Sequence, residues 1–272
     1  MIFQRLIWAA LATAVVVGSL QTGVQRWQAT PLILAAEVYE GQKVGIPESV
    51  APAAPEHEHE HEHEHGAVKE WQPENGLERM GWTLVANILY AFSMALLVFV
   101  VMSATLYQHG AAVGSMALAG WVTAAGFISL HLWPSLGLHA EVPGMEAAPL
   151  HARQLWWVLA VVSAAGACAI AGYARTSWRW LVAAALLVLP FMVGAPQMQG
   201  SALAGFGPEA HAALEQSGTQ FVWATTWVAL TFWASLGLVG GLAFQRWLRP
   251  SVVAVLKDRD VPGTRPVPDK LG

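Results

Sequence analysis

Successive apolar runs, most of them about long enough to cross a bilayer, constrain this chain more than any other feature. Hydrocarbon offers no water to backbone N–H and C=O groups, so each run must satisfy its own backbone, as a helix does. Leu6–Leu20 is the first run, carried towards Arg26 by the weakly polar Gln21, Thr22 and Gly23. Met80–Leu106, Ala111–Trp133 and Leu155–Ala174 come next, then the short Trp180–Gly194 broken by Pro190, and finally Thr219–Phe244. The prediction is an all-α, polytopic integral membrane protein with about six transmembrane helices. Composition agrees: 55% of the 272 residues are hydrophobic and only 12% are charged, where soluble domains carry roughly 25%.

The organisation follows from the runs. Residues 1–24 read as a first transmembrane helix, an uncleaved signal anchor, because no clean small-x-small cleavage site comes after it. A cleaved signal peptide is the rival, and either reading exports the segment beyond Gln25. Residues 25–79 form an exported loop, 80–245 a bundle of five further helices, and 246–272 a basic, Pro-rich cytoplasmic tail expected to be disordered.

Charge sets the orientation. With both termini inside, the inner segments hold nine basic residues and only Asp258, Asp260 and Asp269 as acids. The outer loops hold five basic residues and fifteen acidic ones. That asymmetry places the N- and C-termini in the cytoplasm. Trp82, Trp133, Trp156 and Trp157 then mark outer ends, and Trp178, Trp180 and Trp247 inner ends. No internal repeat is visible. Gly237 and Gly241 form a Gly-x-x-x-Gly suited to close helix packing.

Several classes of function are excluded or weakened. Cys168 is the single cysteine and lies in an apolar run, so a disulfide framework or a cysteine metal site is ruled out. No Walker loop and no basic nucleic-acid patch occurs.

The exported loop carries the densest chemistry. From Glu56 to His65 the chain alternates Glu and His, giving His57, His59, His61, His63 and His65 with Glu58, Glu60 and Glu62 between them. Neutral imidazoles and carboxylates on a short segment chelate divalent transition metals. A solvated low-complexity linker is the plain alternative. His57, Glu58 and His61 also match the His-Glu-x-x-His zinc-protease pattern, but any His-Glu repeat does so, and the pattern needs a packed helix and a placed third ligand.

The second loop and its edges are the other candidate. His131 lies just inside the end of the third run, where ionisable groups usually face a cavity or a partner. It reads either as a ligand for a passing ion or as an interfacial imidazole. His139, Glu141, Glu146 and His151 form a possible mixed nitrogen–oxygen metal site, or else solvated loop residues. Pro190, with Met192 and Met198 nearby, reads as cavity-lining irregular backbone or as a simple kink. Asn87 reads as interhelical glue or as part of a polar path.

Motifs spread along the chain carry a resemblance. They are Pro73-Glu74-Asn75-Gly76-Leu77-Glu78-Arg79, His131-Leu132-Trp133-Pro134, Pro143-Gly144-Met145-Glu146-Ala147-Ala148, Arg153-Gln154-x-Trp156-Trp157 and Leu189-Pro190-x-x-x-Gly194-Ala195-Pro196. Together with the first span and the His-rich arm they resemble the CbtA-type family of bacterial cobalt transporter subunits. The resemblance implies cobalt uptake linked to cobalamin synthesis, a multi-pass place in the bacterial inner membrane, and a small, His-bearing partner protein as the transporter's other component. It supplies no catalytic residues. The reading that results is an importer of cobalt, or of the chemically similar nickel or zinc, with no enzymatic activity, no resident cofactor and no nucleic-acid partner. Its rival is a non-conducting metal-binding subunit that delivers ions to a separate permease.

The charge split yields a direct test. In a Cys168→Ala background, a cysteine at Ser49 is expected to react with an impermeant thiol reagent in intact cells, and one at Ser251 only after lysis. The reverse pattern would invert the topology.

Overall fold

The computed structural model describes residues 2–40, 42, 73–110, 113–198 and 200–260. The Glu/His tract and the last twelve residues lie outside them. Among the described residues there is no strand, and the chain is a bundle of helices.

Helix α1 is Ile2–Gln28 and α2 is Thr30–Glu40. Helix α3 is Leu77–His109. Helix α4, Ser115–Phe127, continues through a π-helical turn at Ile128–Leu132 into Trp133–Ser135. Helix α5 is Leu150–Tyr173 and α6 is Arg179–Val193. Helix α7, Pro208–Ala243, passes through a second π-turn at Phe244–Leu248 into α8, Arg249–Asp260. Five of these helical stretches are long and apolar enough to cross a membrane, and the chain is a polytopic all-α membrane protein. Helix α6 is apolar but has only 15 residues, about 22 Å of rise against a hydrocarbon core of about 30 Å.

Small residues set how closely the helices approach. A side chain at Gly18 of α1 would meet the Ile88 Cα of α3 at 2.7 Å, so only glycine fits that crossing. Gly237 and Gly241 of α7 lie against Thr123 and Ala119 of α4, where an added Cβ would come within 2.6 and 2.9 Å. The Gly-x-x-x-Gly is therefore a packing seam, as its spacing predicts. Ala9, Ala10, Ala14 and Val17 from α1 and Ala91, Ala95 and Phe99 from α3 meet Phe232, Leu236 and Phe244 from α7 and its π-turn in one buried core.

Two expectations need correction. The sequence ends the last span at Phe244 and predicts a disordered tail, yet the helix runs on to Asp260, and Val252 and Leu256 are buried in the main core. Pro250 suggests a break, but the π-turn just before it lets the helix pass. The loop expected over residues 25–79 also begins with a helix: α2 packs against α1 and α7, with Ala36 fully buried.

Both described chain ends lie at one end of the bundle. Arg5 donates to Ser251 Oγ at 2.7 Å, and Arg249 to Ser115 Oγ at 3.2 Å. The opposite, distal end is capped by α2 and the two loops around residues 136–149 and 194–207. Ala36, Val142, Leu203 and Leu214 form a small apolar cluster there, with Met145 and Phe206 packed against it.

Candidate functional site

A cavity of about 420 Å³, lined by both polar and apolar side chains, is cut into the distal end. Gln21 and Gln25 come from the last turns of α1, and Thr30 and Ile33 from α2. Arg79, Thr83 and Tyr90 come from α3, Leu130 and His131 from the first π-turn, and Phe221, Thr225 and Val228 from α7. Tyr90, Phe232 and Trp233 form its apolar floor, with ring centroids 5.0 Å apart for Tyr90–Phe232 and 5.5 Å for Phe232–Trp233. Beneath them Phe99, Leu236 and Phe244 are fully buried.

Pro134 explains why His131 reaches this wall. A proline inside a helix has no N–H to give and its ring crowds the carbonyl one turn back. The chain answers with a π-turn, in which the Trp133 N–H bonds to the Ile128 carbonyl five residues earlier. π-Turns recur at functional sites because they re-aim side chains and loosen backbone pairing. The His131 ring stacks on Phe127 at 5.6 Å, and its Nε2 is buried with no hydrogen-bond partner. Gln21, only 6% exposed, likewise has a buried Oε1 without a partner. Such groups cost about 1–3 kcal/mol each and call for a ligand or water.

At the rim, Arg79 grips Glu37 of α2 with both guanidinium nitrogens, at 2.6 and 3.2 Å, and Asn75 Oδ1 at 2.8 Å. That fork neutralises the one charged side chain that the described residues place in the cavity wall. A smaller cavity of about 160 Å³ shares Thr30, Arg79 and Thr83 with the larger one.

The other sequence candidates are not gathered with His131. Among the described residues no three His, Cys, Asp or Glu side chains are grouped to hold a metal. Glu141 pairs with Arg153 at 3.4 Å. His139, Glu146 and His151 are exposed on the distal surface, where the Glu146 N–H bonds to the Ala202 carbonyl. His57, His59, His61, His63, His65, Glu58, Glu60 and Glu62 lie outside the described residues.

Asn87 resolves as glue. Its Nδ2 donates to Thr22 Oγ1 at 2.9 Å and to Gln25 Oε1 at 2.7 Å, which uses both hydrogens to fasten α3 to α1. Pro190 lies inside α6. Trp133 donates its indole N–H to the Leu187 carbonyl and Trp156 to the Pro190 carbonyl, both at 3.0 Å, and both rings meet the ring of Phe191 edge-on. Helix α6 lines neither cavity, and Met192 is 79% exposed. Neither Asn87 nor Pro190 is among the residues that line the cavity between α1, α3, α4 and α7.

Sequence reasoning missed Gln21, Gln25, Tyr90, Thr225 and the Glu37–Arg79 fork. Two glutamines four residues apart near the end of an apolar helix share one face, and that signal was present.

Fold and cavity together define a class: a multi-pass α-helical membrane protein with a cavity at one end of its helix bundle. The family model described as "Probable cobalt transporter subunit (CbtA)" matches residues 3–245, and the chain belongs to this family of cobalt transporter subunits. No curated protein and no solved structure matches the chain.

The role of Asn87 makes a prediction. Asn87→Ala removes two interhelical hydrogen bonds and is expected to lower stability in detergent by about 1–2 kcal/mol. Cobalt affinity should change less than twofold, measured by equilibrium binding on the folded fraction. Loss of binding with unchanged stability would make Asn87 a ligand.

Proposed function

We propose that this chain imports cobalt, or a similar divalent metal, across the bacterial inner membrane. The Glu56–His65 tract collects ions outside, and the distal cavity receives them at His131. The observation that carries this reading is a coincidence of place. The segment bearing the tract leaves the described structure after Gln42, beyond α2, and re-enters at Pro73, just before α3. The Glu37–Arg79 fork ties those two helices together at the rim of the cavity that contains His131. The tract belongs to the segment between these two points, outside the described residues. His139, Glu141, Glu146 and His151 belong to the same distal surface and act as further capture groups. The acidic surplus of the outer loops favours cations there. An inside-negative potential favours entry of a divalent ion by about 4–5 kcal/mol per 100 mV. The family description names one subunit of a transporter, which implies a partner. A small His-bearing protein fits that place.

A second reading keeps the chain as a metal-binding subunit that hands ions to a separate permease. The apolar floor favours it, since Tyr90, Phe232 and Trp233 close the chamber above the fully buried Phe99 and Leu236. Cobalt uptake into liposomes that contain only this chain separates the two. Uptake supports import by the chain itself, and binding without uptake supports delivery.

Capture and passage have different kinetic signatures. The tract is redundant in ligands, whereas His131 is single. Deleting Glu56–His65 is expected to raise the cobalt concentration for half-maximal cellular uptake several-fold and leave the maximal rate within about twofold. His131→Ala is expected to cut the maximal rate about tenfold or more, with no rescue by added cobalt. Uptake over a cobalt series gives both parameters. Abolished uptake on tract deletion at saturating cobalt, beside a normal His131→Ala variant, would make the tract the obligatory site.

A further inference from the structure

We infer that the smaller distal cavity binds the phosphodiester of a membrane glycerophospholipid, with Arg26 as its main anchor. This goes beyond the proposed function and does not rest on it.

The cavity lies at the right depth. It is enclosed by Thr22 and Arg26 of α1, Thr30 and Leu34 of α2, and the start of α3 from Asn75 to Thr83. The apolar run of α1 ends at Leu20, and that of α3 begins at Met80. At a rise of 1.5 Å per residue, Arg26 stands about 9 Å beyond the first boundary and Gly76 about 6 Å beyond the second. The headgroup layer adds roughly 5–8 Å to each side of the hydrocarbon. A long arginine side chain reaches back into that layer from either height.

Size and surroundings favour a lipid over a free anion. The volume is about 160 Å³, the space of about five waters in the liquid. That holds a phosphate and its ester oxygens but no acyl chain. The chains then run outside, over apolar side chains. Met80 lines the cavity and is 40% exposed, while Trp27, Leu77 and Trp82, next to lining residues in sequence, are more exposed still. Tryptophans at this level mark the membrane interface. A soluble phosphate would make no use of them.

The donors suit a single negative charge. Among the described residues the lining holds two guanidinium groups and no carboxylate. Arg79 is committed to Glu37 and Asn75. Arg26 is exposed, and no ion pair or hydrogen bond among the described residues engages it. Its planar fork of N–H groups matches phosphate oxygens two at a time. Asn75 gives its Oδ1 to Arg79, which leaves its amide N–H groups to donate. Helix α3 starts at Gly76 without a side-chain cap, so the positive end of its dipole also favours an anion here. Outside the lining, Glu74 and Glu78 are exposed at the same turn, and Glu78 accepts the Glu74 N–H at 3.2 Å. These carboxylates suit the ammonium of a phosphoethanolamine headgroup. A lipid so held touches α1, α2 and α3 together and reinforces the Glu37–Arg79 fork.

The test is native mass spectrometry of the delipidated full chain in detergent, titrated with phosphatidylethanolamine. One tightly held lipid per chain is expected, and diacylglycerol with the same acyl chains should not be retained. Arg26→Gln should weaken retention about tenfold, the scale of a lost charge-assisted contact. Asn75→Asp keeps the acceptor for Arg79 and adds a negative charge to the lining, so it should weaken retention several-fold. It keeps the test decisive if Arg26→Gln does not fold. Arg175→Gln, an exposed arginine beyond the end of α5, should leave retention within about twofold, since phosphate contacts elsewhere are not part of the site. Displacement of the lipid by millimolar inorganic phosphate would make this a free-phosphate site and overturn the lipid. Equal retention of diacylglycerol, no retained lipid, or equal losses for Arg26→Gln and Arg175→Gln would overturn the site itself.

Discussion

A backbone inside hydrocarbon must satisfy its own hydrogen bonds, and this structure is shaped by how it does so around proline. Pro134, Pro190 and Pro250 each fall inside a helical stretch. Pro134 and Pro250 receive the same treatment: a π-turn ends two residues before each, at Leu132 and Leu248, and the intervening residue bonds back five positions. Pro190 stays inside α6 without a π-turn, and the indoles of Trp133 and Trp156 bond the Leu187 and Pro190 carbonyls beside it. Each device has a structural result. The first delivers His131 to the cavity wall, the second carries α7 on into α8, and the third anchors α6 against α4 and α5.

The same constraint explains where the polar side chains are. Thr83, Thr123 and Thr226 bond to a carbonyl one turn back on their own helix, which satisfies each hydroxyl without a partner helix. The α1–α3 crossing is held differently, by the Gly18 contact and the Asn87 bonds to Thr22 and Gln25. These fix the cavity's two glutamine-bearing turns against α3. Of four buried side-chain atoms without partners among the described residues, two, His131 Nε2 and Gln21 Oε1, belong to residues of the chamber wall, and Thr13 Oγ1 and Gln28 Oε1 do not.

Much of the fold was legible in the sequence because bilayer thickness converts length of apolar run into a helix. The runs beginning near Met80 and Leu155 lie within α3 and α5, give or take a turn. Helix α2 was not legible, since its 11 residues are too few to read as a span. The extension to Asp260 was hidden by Pro250, whose local meaning depends on a π-turn that no composition signals. His131 was legible as an ionisable group near a span end. Its companions were not, because Gln21, Tyr90 and Thr225 are polar singles whose convergence is a property of helix rotation. In the loop motifs, Trp133, Trp156 and Pro190 join with Phe191 to assemble the α4–α5–α6 junction.

The central claim is that cobalt rests in the distal chamber. Crystals of the full chain grown with Co(II) and measured at the cobalt edge would locate the ion by its anomalous scattering. The account predicts one strong peak in the cavity, within bonding distance of a His131 ring nitrogen. Peaks confined to the outer loops near His139, Glu141 or His151, with none in the chamber, would contradict it.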